Sequence, residues 1–294
     1  MQSPIRYVGG KSKLLPEINK YIPKDVSHIV EPFCGSATLA FSHEKQCIIS
    51  DMSPELINFY DVLMKGSVRR LIRLMKRMSS NHDQENYLSI RALDRAEGFK
   101  DTDPEYRAAR YIYLIYHGFN GMYRVNRSGF NNVPTGGDHR EFPDNIESLL
   151  KEASQHLLEN CKHLSFSSFN SDENENALIQ AINAGGKPFV LIDPPYADRD
   201  GGVKVFREYT KDPITVKFYE DLLDYMRWLD SCDIPFLMTN TDCEFIREYF
   251  SEFIIDKVPT KYSIGANKER TGCKFESFVS NKGVCDDSGN TITK

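Results

Sequence analysis

Apolar runs rich in β-branched and aromatic residues recur along this 294-residue chain, with stretches of helical periodicity between them. The runs predict seven strands, at 29–33, 47–51, 164–166, 189–193, 236–240, 253–258 and 275–279. Strands that alternate with helices in this way are typical of an open α/β sheet. One predicted helix follows a candidate cap at Thr215 and has an apolar face of Phe218, Leu222, Tyr225 and Leu229.

The interval between Asp51 and Leu164 contains no run that resembles a buried parallel strand. It is more than 110 residues long, which is too long for a loop in a compact domain. We therefore expect a mainly helical insertion at 57–144 within one sheet domain formed by 1–56 and 145–294. The Gly- and Asn-rich stretch 126–138 predicts a hairpin or finger. One helix of the insertion has an apolar face of Val68, Leu71, Ile72 and Met75 and a basic face of Arg69, Arg70, Arg73, Lys76 and Arg77.

Charge is distributed unevenly along the chain. The chain carries 37 basic and 42 acidic side chains, a net charge of −5. Residues 61–140 reverse this balance, with 14 Lys and Arg against 9 Asp and Glu. A basic segment in an acidic chain indicates a local anion-binding face, although a solvated helical surface explains the charge equally well.

The amino terminus lacks the apolar segment of a signal peptide, and no apolar run approaches the ~20 residues that cross a bilayer. These features predict a soluble, cytoplasmic protein without membrane contacts, in which the seven cysteines are free thiols. There is no Cys-x-x-Cys pair and no His partner at zinc-finger spacing, so we expect no metal.

A first candidate site follows the first predicted strand, where 31–38 leads through a turn of small residues into a helix. Small residues such as Gly35 allow a ligand to approach the backbone closely. Asp51 ends the next strand, where a carboxylate can accept hydrogen bonds from ribose hydroxyls. Together these features indicate an adenosine-containing ligand, with an ordinary strand-to-helix turn as the alternative. The turn has no Gly-x-Gly-x-x-Gly, which disfavours a dinucleotide.

A second candidate site is Asp193-Pro194-Pro195-Tyr196, directly after an apolar strand. The prolines fix φ and stop the strand, so the Asp193 carboxylate lies at the sheet edge beside an aromatic ring. Methylation of an exocyclic amine requires acceptors that hold its N–H groups and direct the nitrogen lone pair toward the methyl carbon. Tyr196 can stack on a base extruded from a duplex. The alternative is a strand-terminating turn with a surface tyrosine.

A third motif, Gly10-Lys11-Ser12, mimics the end of a Walker A loop. Ile5 stands where the first glycine of that loop belongs, and no strand can precede it. The sequence therefore disfavours an NTPase.

With these motifs in this order, the sequence resembles the Dam family, the D12 class of DNA adenine-N6 methyltransferases. The resemblance spans nearly the whole chain, through 6–11, 31–38, 50–52, 117–126, 129–134 and 193–196. Ala37 departs from the family pattern, because many relatives have glycine there. The resemblance implies a Rossmann-like class I methyltransferase sheet of seven strands, the last pair antiparallel, with a mainly helical DNA-recognition insertion.

The resemblance implies S-adenosylmethionine as the cofactor and catalytic roles for Asp193, Pro194 and Tyr196. It places the following residues against the cofactor: Tyr7, Lys11, Phe33, Gly35, Asp51, Phe166, Ser167 and Asp193. The alternatives are a packed aromatic ring for Tyr7, a solvated lysine for Lys11 and a core side chain for Phe166.

The resemblance also implies double-stranded DNA as the partner, with contacts from Arg6, Phe119, Asn120, Met122, Arg124, Asn126 and Pro134. Arg124 and Pro134 match positions that read bases in the major groove. Arginine binds guanine bidentately, and proline offers an apolar contact suited to a thymine methyl. Phe119 and Asn120 match the segment that enters the stack beside the flipped adenine. A surface salt bridge is the alternative for Arg124.

The reaction expected from this family is direct methyl transfer to N6 of adenine in duplex DNA, within GATC. A rival enzyme methylates RNA or a protein amide, which usually goes with Asn rather than Asp at the first position of the tetrapeptide 193–196. A rival of another class is a cofactor-free DNA-binding regulator that uses the basic insertion. The presence of Tyr7, Lys11, Asp51 and Asp193 argues against that regulator.

Overall fold

The computed structural model describes residues 1–7, 9–197, 215–260 and 274–285. Six of the cysteines expected to be free thiols are free, and Cys273 lies outside the described residues. Across the described ranges, no helix combines the length and apolar character needed to span a bilayer. The same residues contain no group of three or more His, Cys, Asp or Glu that could hold a metal ion.

Seven strands form one sheet in the order β3-β2-β1-β4-β5-β7-β6. They are β1 (His28–Glu31), β2 (Gln46–Ser50), β3 (Cys161–Ser165), β4 (Pro188–Ile192), β5 (Phe236–Thr241), β6 (Ile254–Thr260) and β7 (Lys274–Ser280). The first five strands run parallel, and β7 lies antiparallel between β5 and β6. Each predicted strand is therefore confirmed, as is the antiparallel last pair.

Ten α-helices lie within the described residues: α1 (Leu15–Ile18), α2 (Thr38–Ser42), α3 (Pro54–Met64), α4 (Val68–Ser79), α5 (Gln84–Ala92), α6 (Pro104–His117), α7 (Ile146–Asn160), α8 (Asp172–Asn183), α9 (Val216–Ser231) and α10 (Glu244–Tyr249). The apolar faces predicted for α4 and α9 are the faces that these helices bury. Thr215 is the N-cap residue of α9, but its side chain makes no capping hydrogen bond.

Helices cover both faces of the sheet because successive strand residues point to opposite sides. On β1, Ile29 joins an apolar cluster that includes residues of α3, α4, α6 and α7. Its neighbour Val30 joins a second cluster with residues of α8, α9 and α10. The fold is therefore the α/β class predicted from the sequence, with the core divided between the two faces.

The interval between β2 and β3 is mainly helical, as its length predicts. Its longest helix before the hairpin, α6, buries every residue from Ala108 to His117. After α6 the chain forms a hairpin in which Val125 pairs with Asn131 and Gly118 with Thr135, both antiparallel. The hairpin expected in the Gly- and Asn-rich stretch is confirmed.

Glu31 connects the end of β1 to the helix that follows it. This buried side chain accepts a hydrogen bond through Oε2 from the backbone nitrogen of Ala40, in the first turn of α2, at 2.7 Å. Burial raises the pKa of Glu31 to about 8, because the ionised carboxylate would lose its hydration. Glu31 therefore retains its proton well above the pH at which an exposed glutamate loses it.

We predict that Glu31 lowers the stability of the protein as the pH rises from about 4.5 to about 8. In this window the folded state keeps a proton that the unfolded chain has lost, so the free energy of unfolding falls with pH. Glu31→Gln keeps an acceptor for the Ala40 N–H but does not titrate. Urea unfolding at about pH 5 and pH 8 should show a smaller loss of stability in Glu31→Gln than in the wild type. Equal losses in the two proteins would contradict the assignment.

Candidate functional site

The carboxyl ends of β1, β2, β3 and β4 meet at one edge of the sheet, and each is followed by residues singled out in the sequence. The turn with Gly35 follows β1, Asp51 follows β2, Phe166 follows β3 and Asp193 follows β4. Backbone hydrogen bonds continue past the strand ends, from Cys34 N to Ser50 O at 2.9 Å and from Asp51 N to Ser165 O at 3.4 Å. The sheet thus brings distant parts of the sequence to a single edge.

Asp51 ties the turn after β1 to the end of β2. Its Oδ2 accepts a hydrogen bond from Gly35 N at 3.0 Å, and its Oδ1 accepts one from Ser53 N at 2.9 Å. Each carboxylate oxygen can accept a further hydrogen bond. Burial raises the pKa of Asp51 to about 6, against the lowering effect of these backbone donors.

The turn after β1 requires glycine at position 35. Gly35 has φ +45°, and a Cβ atom there would lie 3.0 Å from the ring of Tyr7. The backbone of Gly35 is also fixed by Tyr60, whose hydroxyl donates to its carbonyl oxygen at 2.8 Å. Ala37 has φ +47°, a conformation that costs an L-residue roughly 1–2 kcal/mol. Glycine would adopt this backbone conformation without that cost.

Lys11 lies against Asp193 and is buried, with 7% of its side chain exposed. Its Nζ is 2.7 Å from Asp193 Oδ1, donates to Gly9 O at 2.7 Å, and lies 4.8 Å from the centroid of the Tyr196 ring. The solvated lysine considered as the alternative is therefore wrong. The motif near the amino terminus and the motif after β4 form one cluster.

Side chains at the end of β5 hold the segment after β4, and they were not singled out in the sequence. Thr239 Oγ1 donates to Asp193 Oδ1 at 2.9 Å. Asn240 Oδ1 accepts from Ala197 N at 2.9 Å, and Thr241 Oγ1 donates to Ala197 O at 2.8 Å. Their sequence signal is a run of three polar residues that ends an otherwise apolar strand.

Glu276 of β7 is a further residue of the site without a sequence motif. Its Oε2 accepts a hydrogen bond from the hydroxyl of Tyr196 at 2.6 Å. Burial is the main cause that raises the pKa of the Tyr196 hydroxyl, and the nearby carboxylates raise it further. The hydroxyl therefore stays protonated and is the donor of this hydrogen bond. Tyr196 is consequently held in place rather than free on the surface.

Apolar side chains are exposed where β2 and β3 end. Phe166 is 52% exposed and Met52 is 51% exposed, so Phe166 is not the core side chain considered as an alternative. Ser167, beside Phe166, shares a hydrogen bond with Ser165, their Oγ atoms 2.7 Å apart. Phe33 is half-buried and packs on Phe169, with ring centroids 5.0 Å apart. Met52 was not singled out in the sequence, although it directly follows Asp51.

Six of the seven predicted DNA-contact residues lie in a second cluster after α6, and the seventh, Arg6, lies in the amino-terminal segment. Phe119 is 47% exposed, and its backbone nitrogen donates to the carbonyl oxygen of exposed Pro134 at 2.9 Å. Asn120 is exposed with φ +55°, and Met122 is half-buried. Asn126 closes the hairpin, because its Oδ1 accepts from Ser128 N and Phe130 N at 3.0 and 3.1 Å.

Arg124 is held across the hairpin by Asn132. Its Nε donates to Asn132 Oδ1 at 2.9 Å, and the backbone nitrogen of Asn132 donates to Arg124 O at 3.1 Å. Within the described ranges no carboxylate pairs with Arg124, so the salt bridge considered as the alternative is not formed there. The hydrogen bond orients the guanidinium, and its terminal nitrogens make no hydrogen bond within those ranges.

The amino-terminal segment connects the two clusters. The Arg6 guanidinium lies 5.8 Å from the centroid of the Tyr116 ring on α6, and the Tyr116 hydroxyl donates to Pro4 O at 3.0 Å. Tyr7 packs against Gly35 and Lys11 pairs with Asp193. A stretch of eight residues therefore joins the hairpin region to the sheet edge.

Known proteins resemble this chain along most of its length. The family of D12 class N6 adenine-specific DNA methyltransferases matches residues 7–264. The chain is 30% identical over 280 residues to the type II methyltransferase M1.LlaDCHI of Lactococcus lactis subsp. cremoris, covering 95% of this chain and 94% of that protein. It is 27% identical over 276 residues to the type II methyltransferase M.CviBI of Paramecium bursaria Chlorella virus NC1A, covering 92% and 95%. It is 26% identical over 265 residues to the DNA adenine methylase of Escherichia coli strain K12, covering 90% and 89%.

Proposed function

Because the chain belongs to the D12 class of N6 adenine-specific DNA methyltransferases, we propose that it methylates N6 of the adenine in GATC in duplex DNA, in the cytoplasm. One observation carries the catalytic part of this proposal. The Asp193 carboxylate, paired with Lys11 beside Tyr196, lies at the sheet edge that also carries Asp51.

The chemistry of this edge fits S-adenosylmethionine. Asp51 has acceptor capacity for ribose hydroxyls, and Phe166 and Met52 offer exposed apolar surface for an adenine ring. Tyr7, Lys11, Phe33, Gly35 and Ser167 complete the contact set that we propose, together with Asp193. When bound, S-adenosylmethionine supplies an electrophilic methyl group.

The chain's own residues hold the target amine. Oδ1 of Asp193 pairs with Lys11 Nζ and accepts a hydrogen bond from Thr239 Oγ1. Within the described residues, Oδ2 accepts no hydrogen bond. We assign Oδ2 and the carbonyl of Pro194 to the two N–H groups of the adenine amine, which directs its lone pair toward the methyl carbon. Tyr196 stacks on the extruded base, and contacts in the pocket offset part of the few kcal/mol that extrusion costs.

We assign target recognition to residues 57–144. The contacts come from Arg6, Phe119, Asn120, Met122, Arg124, Asn126 and Pro134. Phe119 and Asn120 stand at an exposed turn, where they can enter the stack beside the extruded adenine. Arg124, oriented by Asn132, is suited to a bidentate contact with guanine, and Pro134 to a thymine methyl.

The central test compares methyl incorporation into two duplexes that are identical except for one GATC site. We expect N6-methyladenine only in the GATC duplex, and we expect Asp193→Ala to lower the rate by about 10²–10³ because it removes an aligned acceptor. The Asp193→Ala melting curve controls for folding. Methylation of RNA or of a protein amide instead would support the rival enzyme, and wild-type turnover in folded Asp193→Ala would contradict the catalytic assignment.

Asp51 should make cofactor affinity depend on pH. Its pKa of about 6 means that the carboxylate is largely protonated near pH 5 and ionised above pH 7. Because charge-assisted hydrogen bonds contribute roughly 1.5–3 kcal/mol, affinity for S-adenosylmethionine should rise with pH through about 6. Calorimetry should show weaker binding and a flat profile in Asp51→Asn. The control is Asp61→Asn, which removes a surface carboxylate paired with Lys65. A pH profile of binding in Asp51→Asn that matches the wild type would contradict the assignment of Asp51 to the cofactor site.

Sequence reading and charge attraction can be separated with two arginines. Arg124→Ala should reduce the preference for GATC over single-base variants by about 1–3 kcal/mol, mostly at one base pair. Arg73→Ala is the matched control, since Arg73 is exposed on α4 and any phosphate contact would affect all duplexes alike. The measurements are kcat/KM for each duplex and binding at several salt concentrations. If Arg124→Ala lowered kcat/KM equally for all duplexes and made binding less dependent on salt, Arg124 would be a phosphate contact.

A further inference from the structure

A buried carboxylate on β7 contacts the tyrosine of the motif that follows β4. Glu276 is 3% exposed, and its Oε2 lies 2.6 Å from the hydroxyl of Tyr196. It pairs in register with Thr241 of β5, which binds Ala197 and follows Thr239 and Asn240, the residues that bind Asp193 and Ala197. The antiparallel strand therefore reaches the edge formed by the parallel strands.

Burial of a carboxylate costs free energy, because the group loses its hydration, unless a strong hydrogen-bond donor compensates. The Tyr196 hydroxyl is such a donor, and hydrogen bonds from a hydroxyl to a carboxylate are short and about twice as strong as neutral ones. Burial keeps the Tyr196 proton in place by raising the pKa of its hydroxyl. Removal of the Tyr196 hydroxyl would take away this hydrogen bond to Glu276.

Glu276 and Lys11 are two of the groups that hold the Tyr196 side chain. Its hydroxyl is bound by Glu276, and the Nζ of Lys11 stands over the ring, 4.8 Å from the centroid. A swing of the ring about χ1 would carry the hydroxyl several ångströms away from Glu276, so the hydrogen bond opposes that swing. Since Lys11 also pairs with Asp193, the ring and the carboxylate are held in a common arrangement.

We propose that Glu276 is a positioning residue for methyl transfer: its hydrogen bond to Tyr196 holds the ring where the extruded adenine stacks. The proposal rests on the proposed function, because it assigns Glu276 to the adenine side of that site. In this role Glu276 acts through Tyr196, with which it shares the hydrogen bond. A mispositioned reacting group can cost about 10²-fold in rate, so the effect is measurable.

The test uses the full-length enzyme and a double-mutant cycle of Glu276→Leu and Tyr196→Phe. Glu276→Leu removes the acceptor, Tyr196→Phe removes the donor but keeps the ring, and Glu276→Gln keeps an acceptor. Ser277→Ala is the matched control, since Ser277 is a buried neighbour on β7 that bonds Asp242 instead of Tyr196. The readouts are single-turnover methylation, the fluorescence of 2-aminopurine at the target position, S-adenosylmethionine affinity and melting temperature.

We expect Glu276→Leu to lower the single-turnover rate about 10- to 100-fold and to reduce the fluorescence that reports base extrusion, with cofactor affinity unchanged. Glu276→Gln should recover most of this loss, and Ser277→Ala should show none of it. In the Tyr196→Phe background, Glu276→Leu should cause no further loss of rate. If Glu276→Leu does not fold, a loss in Tyr196→Phe that exceeds the loss in Glu276→Gln supports the proposal.

Losses that multiply in the double variant would overturn the proposal, because Glu276 would then act independently of Tyr196. Equal losses in Glu276→Gln and Glu276→Leu would also overturn it, since a retained acceptor would not matter. These results differ from failure of the proposed function. A wild-type enzyme that methylates no adenine in any duplex would refute that function, whereas an active wild type without coupling refutes only the role of Glu276.

Discussion

The ion pair between Lys11 and Asp193 holds the amino-terminal segment against the sheet. Both side chains are largely removed from water, and loss of one partner of a buried pair costs about 3–5 kcal/mol, because the other charge is left uncompensated. With Lys11 anchored, Tyr7 packs on the turn after β1 and Arg6 lies beside α6. One electrostatic contact thereby links the sheet edge to the elements that we assign to DNA recognition.

The topology of the sheet explains why the candidate site residues lie together at one edge. Parallel strands end on the same side, where ligands of α/β proteins bind, and β1 to β4 each place a polar or aromatic residue there. β5 adds Thr239, Asn240 and Thr241, which fix the segment after β4. The antiparallel strand β7 contributes Glu276 from the opposite chain direction. The mixed sheet thus supplies both the site and its supports.

A second buried ion pair gives the hairpin a rigid base. Arg110 on α6 lies 2.8 Å from Asp94 Oδ2 and also donates to the carbonyl oxygens of Ile90 and Arg91. The same Asp94 oxygen accepts from the backbone nitrogen of Asn131 in the hairpin at 2.7 Å. The strand of the hairpin that lies opposite Arg124 is therefore fastened to the helical layer. For the base contact that we propose for Arg124, such a support sets the position of the side chain before DNA arrives.

Local patterns in the sequence are sufficient to predict the strands, helices α4 and α9, and the strand end at the motif 193–196. Side-chain periodicity and proline geometry act over only a few residues, so they can be read from the sequence. The resemblance to a family adds the residues that we propose as contacts for the cofactor and the DNA. Tertiary structure alone decides that Lys11 is buried against Asp193, that Phe166 is exposed, and that the Thr215 side chain makes no cap. It also decides the contact between Tyr196 and Glu276, which are 80 residues apart in the chain. No local signal encodes such a contact, since its partners meet only when β4, β5 and β7 are assembled in one sheet.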